Sequence, residues 1–121
     1  MATTQPIRSK AQIRALSNYY LKLGQLRNHL LIVFSLHTAL RISDVLGITW
    51  DDVYDFATER VTNSITLTEK KTGKAKTLAL HKSIVSALEI YAVNAKHGEP
   101  LFLNSKTGAA ISRIQAYRLI R

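Results

Sequence analysis

Thr38-Ala39-Leu40-Arg41-Ile42-Ser43-Asp44-Val45-Leu46-Gly47-Ile48-Thr49-Trp50-Asp51-Asp52-Val53 is the stretch on which the reading of this 121-residue chain turns. It follows a strongly apolar run and contains a short helix, Ile42 to Leu46, closed by Gly47. Arg41 and Asp44 stand three residues apart, which puts them within one helical turn. Upstream, Leu30-Leu31-Ile32-Val33-Phe34 is apolar on every helical face, so a helix from about Gln25 to Leu40 should be central and buried. Before it, Ser9 and Gln12 read as a capping box that opens a helix running to about Leu23. Ile13, Leu16, Tyr20 and Leu23 form its stripe, and Gly24 ends it.

Downstream the period changes from helical to alternating. Ser64 to Thr68 and Thr77 to Leu80 alternate around the turn-forming Glu69-Lys70-Lys71-Thr72-Gly73-Lys74, a β-hairpin with a lysine-rich tip. Val53 to Phe56 is read as a third, edge strand. Helix returns from Ser83 to Ala95 on a stripe of Ile84, Leu88 and Tyr91. Pro100 opens a short extended piece, and Ser112 with Gln115 caps a last helix. No helix-stop residue lies near Arg121, so that helix is expected to continue. The predicted fold class is α+β, mostly α, with helices packed on a small three-stranded antiparallel sheet.

The charge is uneven. The net is +9 with a pI near 10.1, yet residues 1–59 carry six Lys/Arg against five Asp/Glu. The remaining eleven basic and three acidic residues lie in 60–121. An excess this local points to a polyanionic partner, most often nucleic acid, although a merely solubilising surface has the same composition. No apolar run reaches the ~20 residues that a membrane span needs. The N-terminus, with Arg8 and Lys10, lacks the apolar core of a secretory signal. The absence of cysteine removes disulfides and thiolate zinc sites, and fits a cytoplasmic protein. The four histidines lack metal-ligand spacing, so neither metal nor cofactor is expected. Gly73-Lys74 lacks the flanking residues of a nucleotide-binding P-loop.

The Thr38–Val53 stretch resembles the first conserved box of the tyrosine recombinases, or phage integrases. That box reads roughly Thr-Gly-Leu-Arg-x-x-Glu/Asp-x-x-x-Leu-x-Trp-x-Asp-Val/Ile. Ala39 replaces its glycine and Ile48 its leucine. The resemblance implies the first half of a recombinase catalytic domain, filling residues 1–121 as one partial domain. It implies double-stranded DNA as partner, cut and rejoined through a 3′-phosphotyrosine in a tetramer on a mobile element. Arg41 then becomes the catalytic arginine, whose planar fork holds two phosphoryl oxygens where lysine holds one. Asp44 becomes the acid that orients the cluster. Lys71 becomes the hairpin lysine that protonates the leaving 5′ oxygen, with Lys70 and Lys74 as rivals. Lys70, Lys74, Lys76, Arg113 and Arg118 are candidate phosphate contacts. For an isolated Arg41–Asp44 pair the plainer reading is a helix-start salt bridge, worth under about 1 kcal/mol when exposed.

The same resemblance marks what these residues lack. No histidine is followed by arginine three positions on, and every tyrosine precedes the place of the family's nucleophile. An N-terminal core-binding domain is not represented either. Activity of the chain by itself is therefore left open, and strand cleavage by it alone is not expected. One alternative is a truncated, non-catalytic remnant that binds DNA. A second is a winged helix-turn-helix regulator, which the acidic Trp50-Asp51-Asp52-Val53-Tyr54-Asp55 argues against, because a recognition helix should not repel phosphate. An RNA-binding module would need an exposed aromatic platform that the sequence does not offer.

Overall fold

The structure, a computed structural model, describes residues 10–38, 40–69 and 71–120. Ser9, and with it the first capping box, lies outside them. Helix α1 (Lys10–Lys22) ends where Gly24 takes a φ of +74°. There the Gln25 N–H donates to the Tyr20 carbonyl and the Gly24 N–H to the Leu21 carbonyl, both at 3.0 Å. Only a residue without a Cβ adopts this left-handed cap without strain, and the turn sends α2 back along α1.

Helix α2 (Leu26–His37) is the centre of the molecule, with Leu30, Leu31, Ile32 and Phe34 wholly buried. It packs between α1 and α5 (Lys82–Tyr91), as its all-round apolarity requires. It stops three residues short of the predicted Leu40. Thr38 turns extended, with φ −133° and ψ 157°, and both its N–H and its hydroxyl bond to the Phe34 carbonyl at 3.0 and 2.9 Å. A threonine hydroxyl that takes the i−4 carbonyl competes with helix continuation. Arg41 is extended too, as the residue that precedes α3 (Ile42–Leu46).

The expected edge strand at Val53–Phe56 is replaced by other structure. Thr49 and Asp52 form a capping box, with the Thr49 N–H 2.9 Å from Asp52 Oδ2, and open a one-turn helix α4 (Trp50–Val53). Strand β1 (Tyr54–Asp55) pairs only with β2 (Arg60–Val61). The Asp55 carboxylate accepts from the Ala57 N–H at 2.9 Å, so the chain turns back at once and does not join the hairpin. The result is two two-stranded antiparallel sheets in place of one of three strands.

The second sheet is the predicted hairpin: β3 (Ser64–Thr68) against β4 (Ala75–Ala79), in the register Ser64↔Ala79 through Thr68↔Ala75. Ile65 and Leu78 face the core as a cross-strand pair, and the Thr66 and Thr77 hydroxyls bond at 2.9 Å on the outer face. Gly73, at φ +72°, closes the loop, with its N–H on the Glu69 carbonyl at 2.8 Å. Helix α5 begins one residue before the predicted Ser83 and loosens into a 3-10 turn at Ala92–Asn94. Helix α6 (Arg113–Ile120) carries the predicted capping box, with the Gln115 N–H on Ser112 Oγ at 3.1 Å. Tyr20 ties it to α1 by donating to the Leu119 carbonyl at 2.8 Å. Trp50, Phe34 and Phe102 fill the core, and Tyr91 is buried with them as its stripe position implied. No described helix is long and apolar enough to cross a membrane.

Candidate functional site

Arg41 precedes α3 in an extended conformation, which lifts it out of the helix line, and its side chain is exposed. Its carbonyl accepts from the Asp44 and Val45 N–H groups, but its guanidinium has no hydrogen-bond or ion-pair partner among the described residues. The helix-start salt bridge to Asp44 is thus not formed. Asp44 instead points inward and keeps only 6% of its surface exposed. It lines a small cleft of about 260 Å³ together with Gly47, Ile48, Asp52 and the β3 residues Thr66 to Thr68. Helix α3 and the hairpin therefore share a wall, and strand β3 runs from that cleft to the turn bearing Lys71. Asp52, which faces the same cleft, was not among the residues expected here. Its capping-box spacing from Thr49 was the signal that could have found it.

Lys71 and Lys74 are exposed in the hairpin turn, and Lys76 is exposed on β4 opposite Leu67. Lys70 lies outside the described residues. Arg113 and Arg118 are exposed at the two ends of α6. Five residues apart on a helix, they point about 140° away from each other, so they do not form one stripe with a single direction. The described residues hold no group of three or more His, Cys, Asp or Glu able to bind a metal ion.

A second polar cluster forms around Asp51 in the first turn of α4. Asp51 accepts from the Gly98 N–H at 2.6 Å and lies 2.8 Å from His97 Nδ1, and the His97 ring stacks on Phe56 at 3.7 Å. The Gly98 N–H first, and the His97 side chain next, hold the Asp51 carboxyl below the usual carboxylate range. A depressed folded-state pKa gives stability that is present above the unfolded value and lost as pH falls through the folded one. Asp51→Asn should therefore lower the Tm at neutral pH. That deficit should begin to shrink as pH falls to the ordinary carboxylate value of about 4 and go on shrinking as pH falls through the lower folded-state value. Thermal melts at pH 7 and pH 3 check this, and a deficit that persisted unchanged at pH 3 would contradict it.

The stretch Thr38–Val53 thus presents an exposed arginine before a short helix and a buried acid within it. The chain belongs to the phage integrase family: the model of that family matches residues 8–121. It is 35% identical over 121 residues to the probable integrase/recombinase YoeC of Bacillus subtilis (strain 168). That match takes in all of this chain and 63% of the relative, so the chain spans under two-thirds of the relative's length. No solved structure matches it.

Proposed function

We propose that this chain is a DNA-contacting portion of a site-specific recombinase, one partial catalytic domain that holds a target phosphate for strand exchange. Arg41 is the phosphate fork, Asp44 the buried acid that orients the site, and Lys71 the hairpin acid for the leaving oxygen. Lys70, Lys74, Lys76, Arg113 and Arg118 supply further phosphate contacts. The observation that carries this reading is the Arg41 guanidinium, exposed and without a partner among the described residues, in a motif where a structural arginine would have formed an ion pair with Asp44. Its partner on this reading is double-stranded DNA, in the cytoplasm, on a mobile element, with a tetramer as the working assembly. The 121 residues contain no His-x-x-Arg box. Incubation of the chain alone with nicked duplex should therefore yield no covalent protein–DNA adduct.

Substitution of Arg41 tests the assignment. Arg41→Ala should leave stability within about 0.5 kcal/mol, as exposed substitutions do. It should also reduce the slope of log K for duplex DNA against log salt by about 1, the signature of one lost phosphate contact. Arg41→Lys should restore that slope, because the charge returns even though the fork does not. An unchanged slope in Arg41→Ala would remove Arg41 from the interface.

A further inference from the structure

Helices α1, α2 and α5 enclose a groove of about 640 Å³, whose lining includes neither Arg41 nor Lys71. The helices run past one another in a defined order. Ser17 Oγ lies 3.0 Å from His29 Nδ1, and Arg14 acts electrostatically on His37, so α1 and α2 are antiparallel. The His37 ring, at the end of α2, stacks on His81, just before α5, at 4.0 Å and 9°. One end of the groove therefore gathers Arg14, His37, His81 and Lys82, while Leu21 and Ile90 lie toward the other. None of the described residues lining it is acidic.

The hydrogen bonds fix which ring nitrogens remain available. His81 Nδ1 accepts from the Ser83 N–H at 3.0 Å, so the neutral ring carries its proton on Nε2, a donor with no partner among the described residues. His29 Nδ1 lies 2.9 Å from the Ser17 carbonyl, which can only accept, so this nitrogen is the donor. Its Nε2 has no partner among the described residues, although His29 is only 8% exposed and lines the groove. Arg14 and the stacked His37–His81 pair thus act on one another, with Lys82 next to His81 in the chain and no acidic residue among the described lining. Burial first, then His81 and Arg14, hold His37 below the ordinary histidine range.

We propose that this end of the groove is a second phosphate-binding site, apart from the Arg41 box, that takes a tetrahedral phosphate group on Arg14, Lys82 and the His37–His81 pair. Guanidinium and ammonium supply charge, and His81 Nε2–H supplies a directed donor. The DNA form of the proposal rests on the recombinase reading above; the free-phosphate form does not.

Imidazole resonances of His37 and His81 in the whole chain give the test, followed while inorganic phosphate is added at constant ionic strength and, separately, while a short duplex DNA is added. Saturable shifts with phosphate are expected, with the His37 midpoint rising by about half a pH unit or more as an anion favours the charged ring. Arg14→Gln/Lys82→Gln should abolish them while the rest of the spectrum stays folded. If DNA moves the same resonances, the ligand is a backbone phosphodiester; if inorganic phosphate alone does, it is a free oxyanion. DNA binding that leaves both histidines unmoved, with no response to phosphate, overturns this site and spares the recombinase reading. A phosphate response without any DNA binding does the reverse. Resonances that respond to neither ligand also overturn the site.

Discussion

Trp50→Ala should destabilise the chain by about 3–5 kcal/mol, the range for removing a large aromatic from a packed core. Trp50 is 2% exposed, and its ring meets Tyr54 edge-on at 6.1 Å and Tyr91 at 5.3 Å. Those two partners come from the first sheet and from α5, so the indole joins α4 to elements on both sides. Its backbone N–H is bonded to the Glu99 carbonyl at 3.1 Å, which leaves the side chain as the component that truncation removes. A domain of this size has roughly 5–15 kcal/mol of net stability, so much of it should vanish. Urea unfolding with linear extrapolation measures the loss. A change below about 1 kcal/mol would mean that the site collapses around the missing ring, contrary to the packing described.

The second large effect belongs to the hairpin. Replacing Lys71, Lys74 and Lys76 together by alanine should reduce the salt slope of duplex binding by about 0.9 for each phosphate contact removed, so by nearly three if all touch backbone. The fold should survive, because all three side chains are exposed and the turn is closed by Gly73 and by the Glu69 N–H on the Lys74 carbonyl at 2.9 Å. Binding measured from low to moderate salt reads this out. A triple variant with the parental slope would mean that the lysines only solubilise the turn.

Much of this architecture is legible in the sequence where one local signal acts alone. Gly24, the apolar run 30–34, the hairpin and the Ser112–Gln115 box each fall where propensity and pattern agree with the packing. The misplacements come from side chains that compete with the backbone. Thr38 ends α2 early through its own hydroxyl, and Asp55 folds the expected edge strand into a separate two-residue ribbon. Asp52, in the same way, turns the chain into α4. For the candidate site, the motif singles out Arg41 and Asp44, and the structure separates them into an exposed arginine and a buried acid. The His37–His81 stack is not visible in one dimension. The two residues are 44 positions apart, and nothing in their spacing shows that α2 ends where α5 begins.

The most direct test of the central claim is the affinity of the chain for duplex DNA as a function of salt. Contacts from Arg41, the hairpin lysines and α6 should make log K fall linearly with log salt, with a slope of roughly −3 to −5 at about 0.9 per phosphate. A slope near zero, or no binding at low salt, would contradict the assignment of this surface to DNA.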